Sequence, residues 1–219
     1  MADFSADHKI RPGKILCIGK NYALHAAEMR SQVPKAPVVF LKPSTALVRD
    51  GGAVILPALS EDVHHEVELV AVIGQCAHNV SEHDALSFVE GYAVGLDMTA
   101  RDLQDAAKRK GHPWSVSKGF DTFAPLGTVV SARDVPDPQD LELALTVNGI
   151  NRQRAHTSAM VFSVAALVAW CSSIFTLEPG DLLYTGTPHG VGPVHAGDLL
   201  VATCTGLPPL RVRVRREAV

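Results

Sequence analysis

His64-His65-Glu66-Val67-Glu68-Leu69-Val70-Ala71-Val72-Ile73-Gly74 is the stretch on which the fold turns. Its second half is a continuous apolar run closed by a glycine, the pattern of a buried strand. Side chains two apart on a strand share a face, so Glu66 and Glu68 point the same way, with His64 beside them. Burying two ionised carboxylates together is costly unless a proton or a cation neutralises them. A core strand that opens on such a pair points to a metal. A third acid, Asp97, ends the run Gly91-Tyr92-Ala93-Val94-Gly95-Leu96, whose small residues allow a close approach. Glu66, Glu68 and Asp97 either are surface acids at strand ends or form an all-oxygen site, suited to Mg²⁺, Mn²⁺ or Ca²⁺ rather than zinc. His64 is either a fourth ligand or, more simply, a hydrogen-bond partner of one.

Outward from that strand, most segments read as short strands. They are Lys14–Gly19, Val38–Lys42, Val54–Leu56, Gly91–Asp97, Leu126–Val130 and Leu141–Val147, the last turning at Asn148-Gly149, a hairpin signal. Gly180-Asp181-Leu182-Leu183 recurs as Gly197-Asp198-Leu199-Leu200, each a turn entering a strand. Arg211-Val212-Arg213-Val214-Arg215 alternates, with the arginines on a solvated face. Helices are expected over Tyr22–Arg30 with Asn21 as cap and over Ser81–Phe88. Two more are expected, from a Thr99–Asp102 capping box to Lys110 and from Thr157 to Phe175. Ser117–Asp121 reads as a loop. The sum is an α+β fold dominated by sheet. Residues 1–13 read as an irregular lead-in, and residues 14–219 as a single domain.

The bulk numbers exclude several classes of function. A net charge of -3 and a pI near 6.3 give no electrostatic footprint for nucleic acid. Residues 1–13 lack the apolar centre of a signal peptide, and Met160–Phe175 is too short to span a membrane. Cys17, Cys76, Cys171 and Cys204 are scattered and read as reduced thiols of a cytoplasmic protein.

Beside the acids lie three further groups. His25 and Glu28, three apart on a helix, are neighbours, and a carboxylate beside an imidazole makes it a better base toward water. Lys42, Arg101 and Lys118 are cations that could orient a carboxylate-bearing substrate, and Gln104 shares a helix face with Arg101. Tyr184-Thr185-Gly186-Thr187-Pro188-His189-Gly190 leaves a strand into a glycine-rich loop. The free N–H groups of that loop and the Thr187 hydroxyl could bind an oxyanion.

Together these pieces resemble the fumarylacetoacetate hydrolase family. The matching motifs are Gly19-Lys20-Asn21-Tyr22 with His25 and Glu28, Phe40-Leu41-Lys42-Pro43, and His64-His65-Glu66-Val67-Glu68-Leu69. Leu96-Asp97-Met98-Thr99-Ala100-Arg101-Asp102-Leu103-Gln104, Lys118-Gly119-Phe120-Asp121, Val147-Asn148-Gly149 and Thr185-Gly186-Thr187-Pro188 follow in order. The likeness is to the short members that act on acylpyruvates. It implies a mixed β-roll fold, a homodimer, and Mg²⁺ or Mn²⁺ on Glu66, Glu68 and Asp97. It implies a His25–Glu28 dyad that activates water, with Lys118 and Gln104 assisting. Asn21, Lys42, Arg101, Gly186 and Thr187 fall on the substrate side. The implied reaction is hydrolysis of a 2,4-dioxo acid to pyruvate and a carboxylic acid. Oxaloacetate decarboxylation and isomerisation of a 2-hydroxy-dienoate could use the same electron sink.

Overall fold

In the computed structural model, which describes residues 11–29 and 31–217, strands dominate as expected. The lead-in expected over residues 1–13 lies mostly outside the described residues. In chain order the elements are β1 (Ile15–Gly19), α1 (Ala23–Glu28), β2 (Val38–Lys42), β3 (Leu47–Arg49), β4 (Ala53–Leu56), β5 (Val63–His65), β6 (Val67–Ile73) and β7 (Val89–Leu96). Then come β8 (Thr99–Ala100), α2 (Arg101–Lys110), α3 (Ser115–Lys118), β9 (Ala124–Leu126), β10 (Val130–Ser131), β11 (Glu142–Val147) and β12 (Ile150–His156). The chain finishes with α4 (Val164–Ile174), β13 (Leu182–Tyr184), β14 (Gly192–Pro193), β15 (Leu199–Cys204) and β16 (Leu207–Arg216).

The large sheet runs β2-β1-β13-β6-β7-β9-β3, with β10 also on β7, and curls as a half-barrel. A second sheet, β12-β11-β15-β16-β4, packs against it through β16 and β15 on β7 and β11 on β6. A small third sheet, β14-β5-β8, bridges one end. The two large sheets share one apolar core, in which Leu69, Ala71, Val94, Leu143, Leu145, Leu200 and Val212 are fully or almost fully buried. This is the sheet-dominated α+β fold that the alternating and apolar runs predict, curled into the roll that the family resemblance implies. The arginines of β16 do face solvent while Val212 and Val214 face in.

Every residue of β6 is buried, because it lies inside the large sheet between β13 and β7 and is covered on both faces. The expected single strand from His64 is two strands. The chain leaves the small sheet at His65, turns at Glu66 and enters the large sheet at Val67. That corner sets Glu66 just ahead of β6, still bonded through its carbonyl to Asp97 N.

Several local expectations need correction. Ser81–Phe88 holds only a 3₁₀ turn at Ala85–Phe88, although Ser81 Oγ does accept from Asp84 N at 3.2 Å. Asn21 does not cap α1. Tyr22 stands at that position without a side-chain bond, and Asn21 spans to Phe162 and Thr185 instead. The far end of that expected helix, Arg30, is outside the described residues. Thr99 lies in β8, and its hydroxyl donates to Asp97 O, so there is no capping box. The α2 helix does stop where expected, at left-handed Gly111, φ 67°. Lys118 belongs to a single helical turn, not a loop. Leu126–Val130 is the end of β9 and the start of β10. Thr157 takes the N–H of Leu141, and the cap of α4 is Ser163, which accepts from Ala166 N at 3.1 Å.

Candidate metal centre and its pocket

Glu66, Glu68 and Asp97 each offer a carboxylate oxygen, and these atoms lie within 4.8 Å of one another. The strand register explains the convergence. Glu68 pairs with Gly95, Val67 with Leu96, and Asp97 N donates to Glu66 O at 2.8 Å. All three side chains are almost wholly buried. A Cβ on Gly95 would come within 2.6 Å of Val70 Cγ2 and 2.7 Å of Tyr184 Cε1, so only glycine lets β7 approach closely enough.

Three cations ring the acids. Lys118 Nζ bridges Glu66 Oε2 at 2.8 Å and Asp97 Oδ2 at 2.7 Å. Arg101 pairs with the other oxygen of Glu66 and donates to Gln104 Oε1 at 2.7 Å. Lys42 Nζ donates to Met98 O at 2.9 Å and Lys118 O at 2.6 Å, and lies 2.7 Å from Asp97 Oδ1. Expected on the substrate side, Lys42 is instead spent on these neighbours and sets the shape of the floor.

Electrostatics separate the two glutamates. Burial pushes Glu66 up, but Lys118 and Arg101 outweigh it and hold the carboxyl far below its usual range. Glu68 is pushed well above it by burial and by the Asp97 and Glu66 charges, against one N–H from Gly186 at 2.7 Å. Lys118 is held charged by Asp97 and Glu66 despite its burial. Asp97 Oδ1 is buried without an aligned hydrogen-bond donor. A hard divalent ion answers both features, since it would complete Asp97 and offset the repulsion at Glu68. The residues therefore fit such an ion.

His25 Nδ1 lies 3.2 Å from Glu28 Oε2, and Glu28 Oε1 accepts from Gly190 N at 3.0 Å. The dyad is thus tied to the loop after β13. That loop is held at three more points. Asn21 Nδ2 donates to Thr185 O at 2.8 Å, Gly186 N to Glu68, and Gln153 Nε2 to Thr187 Oγ1 at 2.9 Å. Gly186 and Asn21, expected on the substrate side, serve here as anchors of a metal-site carboxylate and of the loop. Thr187 does line the cavity.

That cavity, about 140 Å³, is lined by His25, Glu66, Glu68, Asp97, Arg101, Gln104, Lys118 and Thr187. Lys20 and Phe40, quoted above within motifs but without a role, line it too, as do Lys108 and Trp114, which the sequence did not single out. His64 points elsewhere, its Nε2 2.9 Å from Asp62 Oδ1, so it is neither ligand nor support. The supporting role falls to Gln153, also unforeseen. Its Oε1 lies 3.0 Å from both His65 Nδ1 and Val67 N, pinning the corner at Glu66. The signal was faint, a single inward residue on an otherwise polar strand after the Asn148-Gly149 turn.

A curled sheet-dominated roll with a buried carboxylate triad able to hold a divalent ion is a recognisable class of domain. The chain belongs to the fumarylacetoacetate hydrolase family, whose model "Fumarylacetoacetate (FAA) hydrolase C-terminal" matches residues 14–215. It is 49% identical over 204 residues to the mitochondrial oxaloacetate tautomerase FAHD1 of Arabidopsis thaliana, covering 93% of this chain and 92% of the relative. Fumarylpyruvate hydrolase from Pseudomonas aeruginosa, solved with Mn²⁺ and pyruvate, superposes with a TM-score of 0.89 at 40% identity, over 94% of this chain and 91% of that one. The 2-hydroxyhepta-2,4-diene-1,7-dioate isomerase of Mycobacterium marinum gives 0.84 at 42% identity, over 95% and 77%.

Proposed function

We propose that this chain is a metal-dependent hydrolase that cleaves the carbon–carbon bond of 2,4-dioxo acids, releasing pyruvate and a carboxylic acid. The observation that carries the reading is one cavity lined by both the triad Glu66, Glu68, Asp97 and His25 of the dyad. The likeness to an Mn²⁺- and pyruvate-bound fumarylpyruvate hydrolase supports it. Held by the triad, Mg²⁺ or Mn²⁺ would act as a Lewis acid toward the keto acid and the negative charge that develops on it.

The chain's own residues do the rest. Glu28, 3.2 Å from His25 Nδ1, fixes the tautomer of the ring, so Nε2 can take a proton from water. The oxygen of that water bonds to the 4-oxo carbon. The bond from that carbon to C3 then breaks, and its electron pair leaves with C3. The proton on His25 returns to C3 as pyruvate forms. Lys118 and Arg101 supply fixed positive charge beside the acids, and Gln104 holds the Arg101 fork in plane. Thr187 faces the substrate from the anchored loop.

A second reading is oxaloacetate tautomerisation, favoured by the 49% identity to the plant tautomerase. There the dyad would shuttle a proton at C3 with no water attack.

The test is an assay of purified protein with Mg²⁺ against acylpyruvates and oxaloacetate, following enol absorbance and identifying products. His25→Ala should depress acylpyruvate cleavage about 10²–10⁴-fold, with Mn²⁺ binding by calorimetry intact. Near-normal turnover in that variant removes the dyad from the account. Enol–keto interconversion of oxaloacetate without cleavage of any acylpyruvate decides for the second reading. We also propose a homodimer, and the four free thiols support the cytoplasm as its compartment. Among the described residues, no helix is long and apolar enough to cross a membrane.

A further inference from the structure

On β12, the outer strand of the second sheet, one side chain breaks the pattern. Ile150, Asn151, Arg152 and Arg154 are exposed, but Gln153 is buried opposite Leu145 of the core. The register steps from Leu145–Gln153 to Thr146–Asn151, which leaves Arg152 without a partner on β11. That is a bulge, a device that re-aims a neighbouring side chain and gathers beside functional sites. The loop after β13 rests on it, since a Cβ on Gly190 would come within 2.2 Å of Arg152 O.

A primary amide has four hydrogen-bonding positions, and Gln153 fills all of them. Its Oε1 accepts from His65 Nδ1 and Val67 N, both at 3.0 Å. Its Nε2 donates to Thr187 Oγ1 and Pro188 O, both at 2.9 Å. Val67 N can only donate and Pro188 O can only accept, so the amide has a single orientation. One half grips the residues on either side of Glu66. The other grips the loop between Gly186, whose N–H goes to Glu68 at 2.7 Å, and Gly190, whose N–H goes to Glu28 at 3.0 Å.

We infer that Gln153 is a positioning residue that fixes the His25–Glu28 dyad relative to the metal ligands. Its oxygen sets Glu66. Its nitrogen sets, through the loop, the carboxylate that orients His25. This rests on the reading of the dyad as the proton carrier. It holds for cleavage and for tautomerisation alike, because both pass a proton through His25.

Two variants separate the halves. Gln153→Met keeps the length of the side chain and loses every bond. Gln153→Glu keeps an acceptor for His65 and Val67, but a carboxyl carries at most one hydrogen and cannot donate to Thr187 and Pro188 together. Titrated calorimetrically, Mn²⁺ should bind Gln153→Met about tenfold more weakly than wild type, and Gln153→Glu no more weakly. Turnover of acetylpyruvate or oxaloacetate, whichever wild type accepts, should fall about 10²-fold in both variants at saturating Mn²⁺, the cost of a reacting group misplaced by about 1 Å. Glu28→Ala supplies a readout that a merely structural residue would not move. In that background Gln153→Glu should cost no more than about a further twofold, because its route to His25 is already cut, whereas independent losses would multiply. Should Gln153→Met fail to fold, Gln153→Glu and its cycle with Glu28→Ala still decide. Full turnover in Gln153→Glu, losses that multiply with Glu28→Ala, or Mn²⁺ affinity unmoved in a folded Gln153→Met overturn the assignment and leave the reaction standing. A wild type that turns over neither compound ends the reading of the site, and the positioning role falls with it.

Discussion

At the scale of residues, Glu68 is the most informative side chain. Its ionised form is opposed by burial and by Asp97 and Glu66, with one N–H in its favour. Glu68→Gln removes that opposition. The metal-free variant should be more stable than metal-free wild type by about 1 kcal/mol, or ~2–4 °C in melting temperature. Wild type should gain about 2.7 kcal/mol from Mg²⁺ at a hundredfold excess over Kd, and the variant little of it. Calorimetric melting of both proteins with EDTA and with Mg²⁺ checks this, and a variant less stable than wild type in EDTA contradicts it. His65 carries a pH signature. Burial lowers its proton affinity below the ordinary 6.5, and burial does the same to His64. A folded value below the unfolded one means stability that is complete above pH 6.5 and lost as pH falls through the folded value. Urea midpoints should therefore fall on acidification below about 6.5, and His65→Asn should flatten that slope. A slope unchanged in the variant would place the titration elsewhere.

At the scale of elements, the meeting of β6 and β7 decides whether the acids converge. Gly95→Ala should cost about 1–3 kcal/mol by overpacking and weaken Mn²⁺ binding, because the added methyl meets Val70, Tyr184 and Pro125 O. Chemical denaturation and Mn²⁺ titration measure the two effects, and an unperturbed variant would refute the packing argument. Elements also show what could be read from sequence. Glu66 with Glu68, and the dyad, were legible as short spacings of two and three residues, and Asp97 as the acid that ends a run of small strand residues. Asn21, Thr99 and Thr157 misled for one shared reason. A small polar side chain before a helical pattern looks like a cap, yet all three bond beyond the helix start. Lys42 was legible as a cation, but its acceptors lie 56 and 76 residues away. Gln153 stayed hidden because its partners stand on two other sheets and in the loop after β13.

At the scale of the molecule, β12 is an edge strand of the second sheet, and it presents Ile150, 57% exposed. Leu24 on the dyad helix is 66% exposed. Unpaired edges and apolar side chains of this kind are usually covered. Light scattering should return about twice the 23.3 kDa chain mass, and a monomer at micromolar concentration would discard the homodimer.

The order of the large sheet has a consequence for synthesis. β1 lies between β2 and β13, pairing parallel to a strand that emerges 167 residues later. Hairpin β6–β7, which carries the acids, can close as soon as it is made. The opening segment with His25 can only wait, its inner edge bare, until Tyr184 leaves the ribosome. A stalled or truncated nascent chain would therefore bring the three acids together before His25 is set beside them, and would expose a sticky strand to chaperones or to its neighbours on the polysome.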